Sequence, residues 1–109
     1  MADVIKILNQ LAAASATEEE LYTVPNVTVT TVSTLVICNR TAGNLTFRVS
    51  VSVNDVATAN KDYLFYDAPI AANGTVTVTI GMTLGQNDTI RTYASATGLS
   101  FNLFGVETS

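Results

Sequence analysis

The sequence predicts an all-β protein, an antiparallel β-sandwich of about seven strands, and three observations predict it. Apolar and polar residues alternate along most of the chain after residue 20, which is the period of a strand with one buried face. These segments are rich in valine, isoleucine and threonine, which suit a pleated sheet. Clusters of turn-forming residues separate them at short intervals. This pattern is typical of a jelly-roll or immunoglobulin-like sandwich, or of a small barrel.

The composition predicts one globular domain with surplus apolar surface. The chain has 109 residues, of which 48% are hydrophobic and 13% charged, well below the usual charged share of about a quarter. The net charge is −4, and the five basic residues are scattered along the sequence. Nucleic-acid phosphates need clustered Lys and Arg, so no nucleic acid partner is expected. Part of the apolar surplus is expected to meet other subunits.

The first 20 residues differ from the rest and predict an N-terminal arm, with the sandwich domain covering residues 21–109. Their apolar positions follow a spacing of three to four, but they also alternate locally, so a short helix and an extended arm both remain open. Glu18-Glu19-Glu20 marks a solvated boundary. Asp3, Asn9 and Gln10 interrupt the pattern of a signal peptide.

The strands after the arm are predicted from alternation and turns, at residues 21–24, 27–38, 45–53, 63–67, 75–84, 89–96 and 99–106. Residues 75–84 are the clearest, with Val76 and Val78 on one face and Thr75 and Thr77 on the other. Within 27–38 the alternation slips between Thr30 and Ser33, which predicts a bulge or a bend.

Two strands are apolar on both faces. Tyr63-Leu64-Phe65-Tyr66 has no polar side, and Leu99, Phe101 and Leu103 oppose Phe104 and Val106. One sandwich has one core, so a loop, the arm or a second copy of the chain must cover the other face. We favour a second copy.

The available side chains predict no enzyme. The chain has no histidine, which excludes serine–histidine and cysteine–histidine nucleophilic sites. Its one cysteine, Cys38, lies in an apolar segment and is expected to be packed and inert. The aspartates are expected in turns, serving the backbone. No catalytic, metal or cofactor site is predicted, and no stretch reaches the roughly 18 apolar residues of a membrane span.

Several segments together resemble a family of short virion proteins of tailed bacteriophages, including cyanophages. In order, they are LYTVP at 21–25, VICNR at 36–40, TFRVSVS at 46–52, KDYLFYD at 61–67, RTYAS at 91–95 and LSFNLFG at 99–105.

The resemblance implies a structural virion protein, namely a capsid cement or decoration protein. Such a protein would be made in the host cytoplasm, sit as a homotrimer on the capsid exterior and bridge major capsid subunits. The residues expected at capsid or subunit contacts are apolar, aromatic or arginine: Ile5, Ile7, Leu8, Leu11, Tyr22, Arg48, Tyr63, Phe65, Tyr66, Arg91 and Phe104.

A second reading is a tail or neck component, including a glycan-binding appendage that uses its tyrosines, and an unrelated adhesion or secreted β-domain is a third. Tyrosines gathered beside exposed Asp and Asn would favour the appendage, but the sequence alone shows no such cluster. Core-edge packing is the commoner fate of strand tyrosines.

Overall fold

The computed structural model describes residues 2–109, which form nine β-strands in two antiparallel sheets. The strands are β1 Asp3–Ala12, β2 Glu18–Thr23, β3 Val29–Asn39, β4 Leu45–Ser52, β5 Tyr63–Ile70, β6 Thr75–Val78, β7 Met82–Leu84, β8 Thr89–Ala94 and β9 Leu99–Thr108. The predicted all-β sandwich is confirmed. Nine strands replace the expected seven because the N-terminal segment adds β1 and the segment 75–84 divides.

The two sheets contain alternate parts of the chain. Sheet A has the order β1-β9-β3-β6, with β7 also paired to β3, and sheet B has the order β2-β8-β4-β5. The chain passes between the sheets several times, so each sheet joins residues far apart in sequence. The long central strand β9 pairs with β1 on one side and with β3 on the other.

The core lies between the sheets and is filled by the inward-facing residues of each strand. Phe101 of sheet A and Phe47 of sheet B are its largest fully buried side chains. Phe65 packs at a tilt on Phe47, with ring centroids 5.6 Å apart. The alternation that predicted the strands is therefore the alternation between core and outer surface.

The irregularity predicted within residues 27–38 is a β-bulge in β3. The register of β3 on β9 shifts between Val32 and Thr34. On its other side, β7 pairs with residues 30–32 and β6 with residues 35–38, one on each side of the bulge. The prediction of one continuous strand over 75–84 was wrong at residues 79–81, where the chain follows the step in β3.

The N-terminal segment is extended and hydrogen-bonded to the sandwich. β1 pairs with β9 along its length, with one register shift between Ile7 and Asn9, and β2 crosses the predicted boundary after residue 20. Two short 3₁₀ turns, Val53–Asp55 and Asn60–Asp62, follow β4. No helix in the described part of the chain is long and apolar enough to cross a membrane.

Candidate interaction surfaces

The outer surface of sheet A is almost free of charge. We call this surface face A. Among the described strand residues that point outward there, only Asp3 at the start of β1 is charged. At one end of the face, Arg40 from the loop after β3 donates a hydrogen bond to the Ser100 hydroxyl. Burial of charge is costly and interface cores are depleted of it. Face A therefore has the composition of a contact surface; it is lined by Ile5, Ile7, Thr31, Thr34, Val36, Thr75, Thr77, Thr83, Asn102, Phe104 and Val106.

The most apolar part of face A lies next to β1. Ile5 pairs with Val106, and Ile7 pairs with Phe104. The side chain of Ile5 is 85% exposed and that of Ile7 is 50% exposed. The N-terminal strand thus extends the second apolar face of β9 sideways and does not cover it. The sequence left a loop, the N-terminal arm or a second copy of the chain to cover this apolar face. The structure excludes the N-terminal arm of the same chain at this position.

The outer surface of sheet B, called face B, is charged and carries a cluster of tyrosines around one arginine. The Arg48 guanidinium lies over the Tyr66 ring at 4.2 Å and over the Tyr93 ring at 4.4 Å. Arg48 also donates two hydrogen bonds to the carboxylate of Asp67, from Nε at 2.7 Å and from Nη2 at 3.3 Å. This hydrogen bonding raises the pKa of Arg48.

A bulge in β5 builds this cluster. The register of β4 on β5 shifts between Phe47 and Val49, so Tyr66 and Asp67 both lie opposite Arg48. Asp67 has a positive φ of 50°, which aspartate tolerates better than most residues. Tyr63 completes the row, with its ring centroid 4.9 Å from that of Tyr66 and nearly perpendicular to it. Cation–π contacts and the bidentate ion pair hold these side chains in place.

Arg91 performs a structural task on the same face. Its guanidinium donates to the Asp55 carboxylate at 2.7 Å, to the Val56 carbonyl at 2.8 Å and to the Ser52 hydroxyl at 2.9 Å. Arg91 thereby holds the loop after β4 against sheet B, where Ser52 is buried. Its expected role in contacts with other subunits stays a prediction, because most of its donors are used within the chain.

A polar network joins the two sheets at one end of the sandwich. The Tyr22 hydroxyl of β2 donates to the Glu107 carboxylate of β9 and lies 2.8 Å from the Thr30 hydroxyl of β3. Lys6 of β1 bonds the other oxygen of Glu107 at 3.3 Å. Burial of Tyr22, together with its hydrogen bond to Glu107, raises the pKa of the Tyr22 hydroxyl well above its usual range.

A Tyr22→Phe variant is expected to lower the free energy of unfolding by about 1–2 kcal/mol at pH 7, because Glu107 and Thr30 lose a buried partner. Because the pKa of Tyr22 is raised in the folded state, its protonated hydroxyl stabilises the fold. This stabilisation is fully present below the ordinary tyrosine pKa of about 10 and is lost as the pH rises above it. Urea unfolding across this range measures both effects. If the wild type and Tyr22→Phe lose stability equally above pH 10, the network does not stabilise the fold in this way.

The eleven residues predicted at contacts fall into three groups. Ile5, Ile7 and Phe104 lie on face A, and Arg48, Tyr63, Tyr66 and Arg91 lie on face B. The side chains of Leu8 and Tyr22 are buried, and those of Leu11 and Phe65 pack against the core. The last four stabilise the protomer itself. Whether any of the others contacts a partner stays a prediction.

The contact residues expected from the sequence did not include Tyr93, Asp67, Thr31 or Val106, although the tyrosines were considered for sugar stacking and Val106 for the second apolar face of its strand. Their strand parity was visible in the sequence, but which strands are neighbours was not. Cys38 is partly buried on the outer side of β3, so the expectation of a fully buried thiol was wrong. Within residues 2–109, no group of three or more cysteine, aspartate or glutamate side chains is close enough to hold a metal ion.

No protein-family model matches the chain, and no curated protein matches it. Among solved structures, a chain from the structure of infectious bursal disease virus Gx strain aligns with 97% of this chain at 12% sequence identity and a TM-score of 0.50. This chain spans 30% of that chain's length. At this identity the likeness shows a shared fold and no more.

Two further solved structures align with lower TM-scores. A pentameric capsid protein isolated from metagenomic phage sequences aligns over 97% of this chain and 64% of its own, with 14% identity and a TM-score of 0.41. The nucleoplasmin-like N-terminal domain of Drosophila FKBP39 aligns over 90% of this chain and 86% of its own, with 14% identity and a TM-score of 0.39.

Proposed function

We propose that this chain is a structural protein of a virion and that it attaches to other virion subunits through face A. The observation that carries the proposal is the segregation of charge. Among the described strand residues, only Asp3 is charged on face A. Face B carries five charged residues: Arg48, Asp67, Arg91, Glu18 and Glu20. A surface of threonines and aliphatic side chains can be desolvated at low cost, and a surface of charged groups cannot.

The finer form of the proposal is a cement or decoration protein of a tailed phage. In this form it would sit as a homotrimer on the capsid exterior and bridge major capsid subunits. Each contact across a junction stabilises the assembled shell, because it exists only while the shell is closed. The resemblance to short phage virion proteins supports this form, and the fold shared with a chain of a virus structure is consistent with it. The chain is proposed not to be an enzyme.

The test is binding of the purified chain to capsids of the phage that encodes it, assembled without the chain. Cosedimentation is expected to show saturable binding with a fixed number of copies per capsid. Capsids that carry the chain are expected to resist heating better than capsids without it. If the chain does not cosediment with the shell, the cement proposal is wrong.

A second candidate is a glycan-binding appendage of the tail or neck, and the Arg48 cluster favours it. The structure brings Tyr63, Tyr66 and Tyr93 together beside the Asp67 carboxylate, which the sequence alone did not show. Aromatic rings beside a carboxylate and an arginine are groups that bind sugars through stacking and hydrogen bonds. Binding of the chain to a glycan array, abolished by Tyr66→Ala, is the result that this candidate predicts.

A further inference from the structure

We propose that two copies of the chain join through their β1 strands, which pair antiparallel about a two-fold axis and make one continuous sheet from the two copies of sheet A. This inference goes beyond the proposed function, because it specifies which element of the chain recognises a second copy. It rests on the open edge of β1, on the protection of the other sheet edges and on the charge of β1.

The edge of β1 is long and unpaired. β1 is the outer strand of sheet A and has 10 residues. In the described chain, the backbone of residues 3–8 pairs with β9 and with no other strand. An unpaired strand of this length presents a row of N–H and C=O groups that can pair with a further strand. Val4 and Ile5 add exposed apolar side chains to this edge, at 50% and 85%.

The other edges carry features that block such pairing. β5 contains Pro69 and a bulge with a positive φ at Asp67. β2 begins with three glutamates and has a register shift after Glu20. At the far side of sheet A, β6 and β7 have only four and three residues. Prolines, bulges, charges and short strands are the usual protection of sheet edges, and β1 contains no proline and is interrupted only near Leu8.

The charge of β1 selects a second copy as the occupant. The whole chain carries −4, but β1 holds one acidic residue, Asp3, and one basic residue, Lys6. An acidic or basic partner segment would find no net opposite charge there, whereas a second β1 is equally neutral and equally apolar. Because the remaining edges are protected, the contact closes on itself as a two-fold dimer and does not continue into a fibre.

Charge also selects the register. A two-fold axis normal to the sheet places outward residues of one strand opposite outward residues of the other. The axis passes between the two copies of one residue, and near the middle of β1 this residue can be Ile5, Lys6 or Ile7. A centre at Lys6 would oppose two lysines, which is unfavourable. A centre at Ile7 would place the bulge at Leu8 within the pairing. Centring on Ile5 avoids both problems and places Asp3 opposite Ile7 of the partner copy.

This contact is compatible with the proposed virion role but does not depend on it. An icosahedral shell has two-fold as well as three-fold axes normal to its surface. β1 pairing can therefore join copies that belong to neighbouring trimers.

The experiment uses the purified chain without any capsid, so its result is separate from that of capsid binding. Sedimentation velocity over a wide range of concentration compares the wild type with Ile5→Lys, which opposes two cations at the centre of the contact. Val53→Lys is the matched control, since Val53 is an exposed valine in the loop after β4. In a Cys38→Ser background, Ile5→Cys tests the register by oxidation, with Val53→Cys as control.

We expect the wild type and Val53→Lys to dimerise on concentration, and Ile5→Lys to associate at least about tenfold more weakly. Ile5→Cys is expected to form a disulfide-linked dimer, because directly opposed strand residues lie within disulfide range. A wild type that stays monomeric overturns the proposal. The β1 edge would then be a binding site for an extended segment of another protein. Association without the Ile5→Cys cross-link, as from a trimer formed through face A, overturns it as well.

Discussion

A Gly105→Ala variant is expected to unfold at a clearly lower urea concentration than the wild type, with a loss of about 2–3 kcal/mol. Gly105 lies in β9 between Lys6 of β1 and Val32 of β3. A Cβ atom there would overlap the carbonyl oxygen of Thr31 and come within 3.0 Å of Leu8 Cδ1 and 3.1 Å of Val32 Cα. A backbone carbonyl cannot rotate away as a side chain can, so β3 must separate from β9.

The lack of space for a Cβ atom at residue 105 is due to the two bulges beside Gly105. β1 steps in register after Ile7 and β3 steps after Val32, so the backbones of both neighbours are irregular beside this part of β9. Gly81→Ala is the matched control, because a Cβ at Gly81 meets nothing within 4 Å. If Gly105→Ala and Gly81→Ala unfold at the same urea concentration, the close approach of β3 to β9 is not as described.

A Thr31→Lys variant is expected to bind capsids at least about tenfold more weakly than the wild type, which corresponds to about 1.4 kcal/mol or more. Thr31 is exposed on face A, where it lies opposite Val106 of β9 and Thr83 of β7. A lysine there would have to be desolvated in the contact, and the described residues of face A offer it no carboxylate except Asp3. Because Thr31 is exposed, the fold is expected to tolerate the change.

Thr97→Lys is the matched control for this experiment. Thr97 is an exposed threonine in the turn between β8 and β9, outside the strands of face A. It changes the net charge by the same amount, so it separates a local effect from general electrostatics. Equal loss of binding in Thr31→Lys and Thr97→Lys would show that the contact depends on overall charge and not on face A.

The sequence predicted the fold well where one local rule was sufficient. Alternation identified the core face of Phe101 and Leu103, and the slip near Ser33 marked the bulge in β3. Prediction from the sequence failed where pairing with a strand distant in the chain decides the local structure. Val4, Ile5 and Ile7 suit a helix or a strand equally, and only the edge of β9 fixes them as β1.

The candidate surfaces were predicted less completely, and bulges are the reason. Leu21 and Tyr22 are adjacent yet both buried, because the register shift after Glu20 breaks the alternation of β2. The bulge at Asp67 likewise gathers the Arg48 cluster. The outward threonines of β6 were expected to face water, and the absence of charge around them became visible only when the strand order placed Thr75 and Thr77 beside Val36 and Cys38.

Cryo-electron microscopy of purified virions, with icosahedral averaging of the shell, would show whether this chain is attached to the capsid through face A. We expect density for this sandwich on the capsid exterior, with sheet A towards the neighbouring subunits and the tyrosines of face B towards solvent. A shell without this density, or one in which face B makes the contacts, would contradict it.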